Sequence, residues 1–264
     1  MNRAKRFCWC LVLWSALIST SAWAQTDWTR LFSGALKAGK AITISDEDLF
    51  ETVAEEVAMM DKQNTVCTDN SAYAKRLNRL TKKMQKADGI ALNFKVYKTT
   101  DINAFACPDG SVRVFSALMD ILSDEELLGV IGHEIGHVAL RHSKNAWKDA
   151  ILRSAVSDAV GAFSDTWASL SDSYLGDICS IALSAKHSRY HESQADDYGY
   201  DFLKGLNINP WAMGKALIKL QQMSEDKSNA KYRQLLQVFS SHPDFDIRIQ
   251  HIKERAEVDN FIVF

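Results

Sequence analysis

Five consecutive residues, His133-Glu134-Ile135-Gly136-His137, place two imidazoles and a carboxylate inside a mostly apolar segment. Positions four apart on a helix differ by about 40° in azimuth, so the two histidines would project side by side and could bind one zinc ion. Glu134 would point about 100° away from His133 and reach a water on that ion rather than the ion itself. Burying these polar groups without a metal or partners would be costly. The pattern therefore predicts a helix that performs metal-assisted hydrolysis.

A catalytic zinc site with two histidines needs a third protein ligand. In one class of zinc site the third ligand follows shortly after the second histidine, with Gly and His three and six residues beyond it. These positions hold Leu140 and Ser143 here, so that class is excluded. Farther along, Glu192 and Asp196 lie four residues apart on one face of a predicted helix. Taken alone, this pair would indicate a solvated acidic face. After the histidine motif, we predict instead that Glu192 completes the ligand set of one zinc ion per chain. Asp196 would then accept a hydrogen bond from a ligating histidine, in the first place His133.

The composition excludes several other classes of protein. The 264 residues have a formal charge of −2, with 31 Lys and Arg against 33 Asp and Glu, and 47% of them are hydrophobic. These values exclude a disordered or collagen-like chain and give no electrostatic reason to expect a nucleic-acid partner. Only 3 prolines and 12 glycines are present, which argues against a long linker.

The first 24 residues have the pattern of a secretory signal peptide. Three basic residues precede an acid-free stretch from residue 7 to residue 20, and Ala22-Trp23-Ala24 supplies the small residues of a cleavage site. We expect cleavage before Gln25, which leaves residues 25–264 as a single domain. An N-terminal membrane anchor is the alternative, but the apolar run is shorter than the roughly 18–20 residues that span a bilayer.

Three of the five cysteines remain after cleavage, in a compartment that should be oxidising. Cys8 and Cys10 lie at the beginning of the apolar run rather than at its end, so no lipid anchor is predicted. We expect one disulfide, between Cys67 and Cys107, because the first precedes a helical segment and the second lies beside a turn. Cys179 lies in an apolar helical pattern and would remain a thiol.

Hydrophobic periodicity predicts an α+β protein that is mainly helical. N-terminal helices are expected at about 46–86 and a small antiparallel sheet at about 91–115. In the sheet, Pro108-Asp109-Gly110 should turn the chain back into a hairpin that ends at Phe115. Catalytic helices should follow at about 124–258, with no transmembrane span among them. These helices are predicted at Asp124–Ser143, Asn145 to about Lys186, Tyr190–Lys204, Pro210–Met223 and Asp244–Val258.

Four ordered blocks of residues are together more specific than the histidine motif alone. The blocks are Asn103–Ala106 with Pro108-Asp109-Gly110 and Val112, Gly132–His137, Ser188-Arg189 with Glu192 and Ala195-Asp196, and Ser241-His242-Pro243 with Arg248-Ile249. The chain resembles a family of zinc metallopeptidases that includes HtpX, the CAAX prenyl endopeptidases and the periplasmic proteases BepA and LoiP, with the LoiP type most similar. The resemblance covers roughly residues 46–256. It implies a compact gluzincin-like domain, in which a small sheet lies over the active-site helix, and it implies endopeptidase activity.

The same resemblance places the loop of His242 near the zinc ion. His242 could hydrogen-bond the oxyanion, bind the metal reversibly as a fourth ligand that keeps the enzyme latent, or belong only to a helix-capping loop. Arg248 could assist at the oxyanion or form a structural ion pair. Glu134 would take a proton from the attacking water and deliver it to the leaving nitrogen.

Substrate is expected to add as a strand beside the site, so that main-chain hydrogen bonds favour unfolded or extended polypeptides. The predicted substrate strand comprises Asn103, Ala104, Phe105 and Ala106. The remaining histidines are interpreted as non-ligands, namely His142, His187, His191 and His251.

We therefore expect a periplasmic zinc endopeptidase that cleaves extended or misfolded envelope proteins. The quality-control role is implied by the resemblance alone, as is peripheral association with the outer membrane or its assembly machinery. A latent, chaperone-like binder of unfolded envelope proteins with little proteolysis is the alternative. A zinc hydrolase that acts on small peptides is a third hypothesis.

Overall fold

The computed structural model describes residues 45–161, 182–183, 185–225 and 241–264. Within these ranges the chain is mainly helical, with short strands near its N-terminal half, so the predicted α+β fold class is confirmed. No helix in this part of the chain is long and apolar enough to cross a membrane. The predicted signal peptide and Cys179 lie outside the described residues.

The helices are α1 Asp46–Gln63, α2 Ala72–Thr81, α3 Ser116–Ile121, α4 Asp124–Ala139, α5 His142–Gly161, α6 Arg189–Gly205, α7 Trp211–Glu225 and α8 Phe245–Val258. The strands are β1 Lys86–Ala87, β2 Ile90–Ala91, β3 Asn93–Tyr97, β4 Ala104–Ala106 and β5 Ser111–Phe115.

Serine side chains begin four of the helices. Each accepts a hydrogen bond from a backbone N–H three residues later, which satisfies a donor that the first helical turn leaves without a partner. At α4, the Glu126 carboxylate also accepts from the backbone N–H of Ser123 and completes a capping box. The starts of α4 and α6, which carry the predicted zinc ligands, are therefore fixed by residues outside the site. The four capping residues are Ser45, Ser71, Ser123 and Ser188.

The main sheet is mixed rather than antiparallel. Strands β4 and β5 form the predicted hairpin, with Ala104 opposite Val114, and Gly110 supplies a positive φ of 88° in the turn. Strand β3 pairs in parallel with β5, so the strand order is β3-β5-β4 and β4 lies at one edge. The prediction of a small antiparallel sheet therefore holds for β4 and β5 but not for β3, because alternation of apolar residues identifies strands but does not determine which neighbours they pair with.

The sheet separates two apolar clusters. On one face, Val114 packs in a core that includes Leu127 of α4. On the other face, Tyr97 packs in a cluster with Leu49 of α1 and Trp147 of α5. The sheet thus lies against the helix that carries the histidine motif, as the predicted arrangement requires.

The predicted disulfide between Cys67 and Cys107 is absent, and Cys67 is a free thiol. The backbone N–H of Cys67 donates to Val96 of β3, whereas Cys107 follows β4 at the opposite edge of the sheet. Neighbouring strands lie about 4.8 Å apart, so the intervening strands separate the two residues by more than the roughly 7 Å that a disulfide tolerates between Cα atoms. The two cysteines also pack in different apolar clusters. The predicted pairing is therefore wrong.

Helix α4 ends four residues earlier than predicted. Its last residue is Ala139, and Arg141 adopts a left-handed backbone conformation with a φ of 65° before α5 begins at His142. Helices commonly end with a glycine or an asparagine in this conformation, and neither residue marks this position. The prediction of one helix that continues to Ser143 is wrong for this reason. The turn brings His142 back towards the histidine motif.

Candidate metal centre

Glycines allow α4 and α6 to approach closely. A Cβ atom added to Gly136 would lie 3.2 Å from the Ala195 Cα, and one added to Gly199 would lie 3.1 Å from the backbone nitrogen of His133. Both distances are shorter than ordinary van der Waals contact, so a larger residue would push the helices apart. The close approach brings the side chains of α6, including Glu192, within reach of the histidine motif on α4.

Four side chains bring their donor atoms to one point. His133, His137, Glu192 and His242 each offer one atom, and all four atoms lie within 4.8 Å of one another. The Nε2 atoms of His133 and His137 are 3.1 Å apart. One Glu192 oxygen lies 3.4 Å from the His137 Nε2, and the other lies 3.6 Å from the His133 Nε2. The Nδ1 of His242 is 3.3 Å from the His133 Nε2 and 3.2 Å from a Glu192 oxygen.

These separations fit a tetrahedral metal site. Two nitrogens bound to one zinc ion at about 2.0–2.1 Å lie about 3.3 Å apart when the geometry is tetrahedral. The lone pairs of His133 and His137, which face each other across 3.1 Å, would repel without a proton or an ion between them. The structure therefore brings together the three predicted ligands and adds the His242 imidazole as a fourth donor.

Two residues behind the donor atoms contact them from the protein side. The Oδ1 of Asp196 is 2.8 Å from the Nδ1 of His133, the ring nitrogen that faces away from the cluster. Arg248 donates to both oxygens of Asp196, and its Nη1 lies 2.8 Å from a Glu192 oxygen. Burial would raise the pKa of the Glu192 carboxyl, but the neighbouring His242 imidazole and Arg248 guanidinium outweigh it and hold that pKa well below its usual range. These contacts correspond to the structural ion pair that was one of the two expectations for Arg248.

Glu134 lies beside the donor atoms without joining them. Its Oε1 is 3.7 Å from the Nε2 of His242, and the side chain is buried. Burial raises the pKa of Glu134, and the neighbouring imidazoles of His242 and His133 only partly offset this effect. A carboxylate with a raised pKa is better suited to accept a proton and return it.

Two histidines that the sequence predicts to be non-ligands lie against His137. The Nδ1 of His142 is 3.1 Å from the Nδ1 of His137, and the His187 ring stacks on the His137 ring with centroids 4.0 Å apart. Burial lowers the pKa of His142 to about 4 and that of His187 to about 3, so both rings are neutral at physiological pH. Neither belongs to the donor group. No sequence signal marks His142, because its position depends on the turn at Arg141.

The predicted substrate strand lies beside these groups. Phe105 and Ala106 line the same small cavity as Glu134 and His242. The volume of this cavity is about 30 Å³, which is room for one or two water molecules. At the start of β4, the Asn103 Oδ1 accepts a hydrogen bond from the next backbone N–H. Among the strands of the described residues, β4 lies at an edge of the sheet, so it presents a backbone edge where a further strand can add.

Comparison with known proteins shows the family of the chain. The sequence profile of peptidase family M48 matches residues 71–256, which is well over half of the chain. The chain belongs to this family. The metalloprotease YcaL of Escherichia coli is 39% identical over 230 residues, which cover 87% of this chain and 88% of the relative. The metalloprotease LoiP of the same organism is 34% identical over 251 residues, which cover 94% of this chain and 96% of LoiP.

Membership of family M48 confirms the resemblance that the four sequence blocks indicate. The beta-barrel assembly-enhancing protease of Escherichia coli is a more distant relative, 28% identical over 172 residues, which cover 62% of this chain and 34% of that protein. The M48 chain is accordingly a metal-dependent protease that acts on polypeptides. The matched residues include the four donors, Glu134, Asp196 and Arg248.

Proposed function

We propose that this M48 protease is a zinc-dependent endopeptidase that binds one zinc ion per chain through His133, His137 and Glu192. The observation that carries the proposal is the set of donor atoms, in which two imidazole nitrogens lie 3.1 Å apart and face a buried carboxylate. Two histidines and one glutamate are a typical ligand set of catalytic zinc. The spacing of the nitrogens supports zinc as the ion.

A bound zinc ion would supply a Lewis acid and lower the pKa of an adjacent water. Glu134 then takes a proton from the attacking water and returns it to the leaving nitrogen, so no covalent intermediate is needed. Asp196 keeps the His133 ring oriented through its 2.8 Å contact with Nδ1. Arg248, which lies against both Glu192 and Asp196, keeps these two carboxyl groups ionised.

In this arrangement, His242 keeps the enzyme latent. Its Nδ1 lies 3.3 Å from the His133 Nε2 and 3.2 Å from a Glu192 oxygen, so it would hold a bound zinc ion as a fourth donor and keep the attacking water away. The cavity of about 30 Å³ beside Glu134 has room for a water molecule but not for a peptide side chain. Movement of the His242 ring away from the donors would open the fourth position. Of the three expectations for His242, this geometry supports reversible ligation.

Substrates bind as extended segments along β4, the strand that contains Phe105 and Ala106. The support for this part of the proposal is that β4 lies at the sheet edge and that both side chains line the cavity next to Glu134. Main-chain hydrogen bonds along such an edge select for backbone conformation more than for side chains. Unfolded or extended polypeptides are therefore the substrate class.

We place the enzyme in the periplasm, with residues 1–24 removed as a signal peptide and residues 25–264 folded as a single domain. The support is the order of basic, apolar and small residues in that leader. The substrates are extended or misfolded envelope proteins, and the enzyme associates peripherally with the outer membrane or its assembly machinery. The similarity to a beta-barrel assembly-enhancing protease supports this role.

Cleavage of unfolded casein by residues 25–264 tests the proposal. Cleavage should stop on chelation, return with zinc, and be lost in Glu134→Gln while zinc binding is kept. Glu125→Gln, which changes an exposed glutamate on the same helix, is the matched control and should retain activity. Because we propose latency, each variant is also measured in a His242→Ala background.

Two outcomes favour the other hypotheses. If the wild type does not cleave casein but suppresses aggregation of unfolded proteins, and Glu134→Gln does the same, the chain is a chaperone-like binder. If cleavage is confined to dipeptides, the chain is a hydrolase of small peptides.

A further inference from the structure

We propose that His142 is a positioning residue for His137 and that Gln194 completes the chain of hydrogen bonds behind it. The proposal rests on the zinc site proposed above. The Nδ1 of His142 lies 3.1 Å from the Nδ1 of His137, and its Nε2 lies 3.3 Å from the Oε1 of Gln194. His142 is only 4% exposed, so these two contacts replace water for both ring nitrogens.

Metal binding determines where the protons of this chain lie. His137 presents its Nε2 to the other donor atoms, 3.1 Å from the Nε2 of His133. A neutral imidazole that binds a metal through Nε2 carries its proton on Nδ1. This N–H donates to the Nδ1 of His142, since two ring nitrogens 3.1 Å apart share only one proton. His142 then carries its own proton on Nε2 and donates it to the Gln194 amide oxygen.

The two zinc-binding histidines are therefore oriented by hydrogen-bond partners of different chemical type. His133 faces the carboxylate of Asp196, whereas His137 faces a neutral imidazole that is backed by an amide. Helix α6 contributes to both arrangements, because Gln194 lies between Glu192 and Asp196 in the sequence. One helix thus supplies the third ligand and fixes the orientation of both histidine ligands.

The turn at Arg141 makes the contact possible. On an uninterrupted helix, a residue five positions after His137 would point about 140° away from it. The left-handed conformation of Arg141, with a φ of 65°, ends α4 and returns His142 to the histidine that it supports. The Arg141 side chain also pairs with Asp88 at 2.8 Å, which ties the turn to the β1–β2 hairpin.

Zinc affinity of residues 25–264 tests the proposal, measured by competition with a chromophoric chelator. His142→Leu removes both ring nitrogens and should weaken zinc binding about 10- to 100-fold. His142→Asn presents an amide oxygen near the position of Nδ1 and should bind zinc within about threefold of the wild type. Gln194→Leu should cause a smaller loss than His142→Leu. His251→Leu, a histidine at a partly exposed position of α8, is the matched control and should bind zinc like the wild type.

The visible spectrum of the Co²⁺ form supplies a second readout, because it reports the ligand field directly. It should shift in His142→Leu and stay unchanged in His142→Asn.

The proposal is overturned if folded His142→Leu binds zinc as tightly as the wild type, or if His142→Asn loses as much affinity as His142→Leu. If circular dichroism shows that His142→Leu does not fold, the zinc affinities of Gln194→Leu and His142→Asn test the proposal instead. Gln194→Leu must then lose affinity while His142→Asn keeps it. Failure of the wild type to bind zinc would instead contradict the proposed function, and this proposal with it.

Discussion

The Oδ1 of Asp196 lies 2.8 Å from the His133 Nδ1 and 2.6 Å from the Arg248 Nη2, so one buried carboxylate joins a metal-binding imidazole to a guanidinium. Asp196→Asn keeps the shape of the side chain but removes its charge. We expect zinc affinity to fall about 10- to 100-fold, because a neutral amide stabilises the ligating imidazole less. Chelator competition measures the change. Asp197→Asn, which alters a partly exposed carboxylate one residue along, is the control, and equal affinities for the two variants would contradict the account.

The latency proposal predicts that His242→Ala is more active than the wild type. Removal of the imidazole that lies 3.3 Å from the His133 Nε2 leaves the fourth position open to water. If about a tenth of the molecules are open at a time, casein cleavage should rise about tenfold. His251→Ala serves as the control. A fall in activity would show instead that His242 assists the reaction. An unchanged rate would show that His242 is only part of a helix-capping loop.

The close helix approach predicts that Gly136→Ala is destabilising. Its new Cβ would lie 3.2 Å from the Ala195 backbone and 3.0 Å from the Tyr198 Cβ, so α6 must move outward. We expect a loss of about 1–3 kcal/mol in the free energy of unfolding, together with weaker zinc binding, because Glu192 moves with α6. Urea unfolding and chelator competition provide the two measurements. Gly205→Ala is the matched control, since its Cβ would contact nothing within 4 Å, and similar losses in both variants would be inconsistent with this explanation.

A buried ion pair predicts a specific pH dependence of stability. Asp61 accepts hydrogen bonds from Arg113, Lys95 and Tyr97. Burial would raise the pKa of Asp61, but these donors outweigh it and lower the pKa below its ordinary value of 3.8. The stabilisation is therefore fully present above pH 3.8 and is lost as the pH falls through the lower pKa of the folded state.

Asp61→Asn should cost about 3 kcal/mol at neutral pH, because it leaves the buried Arg113 without its charged partner. The difference from the wild type should shrink at acidic pH, where Asp61 is protonated in both states. Urea unfolding at several pH values measures this convergence. Asp101→Asn, at an exposed position, should change stability by less than about 0.5 kcal/mol. A difference for Asp61→Asn that does not depend on pH would argue against the assignment.

The parts of the site that depend on local helix geometry are accessible from the sequence. His133 and His137 are one helical turn apart, and the same is true of Glu192 and Asp196, so each pair must share a face once its helix forms. The structure places all four side chains around one point or directly behind it. Their meeting across helices follows from the family resemblance, whereas spacing alone leaves it open.

The features that the sequence does not predict depend on single backbone conformations or on strand partners. Arg141 adopts a left-handed conformation without the glycine that usually signals it, so the contact between His142 and His137 could not be anticipated. The parallel pairing of β3 with β5 likewise depends on tertiary packing and not on the local sequence. It separates Cys67 from Cys107 and so removes the expected disulfide.

Diffraction from crystals of residues 25–264 grown with zinc, recorded on both sides of the zinc absorption edge, tests the central claim most directly. We expect one anomalous peak per chain, about 2.0–2.2 Å from the Nε2 atoms of His133 and His137 and from a Glu192 oxygen. An anomalous map without a peak among these three side chains, or with the zinc ion held elsewhere, would contradict it.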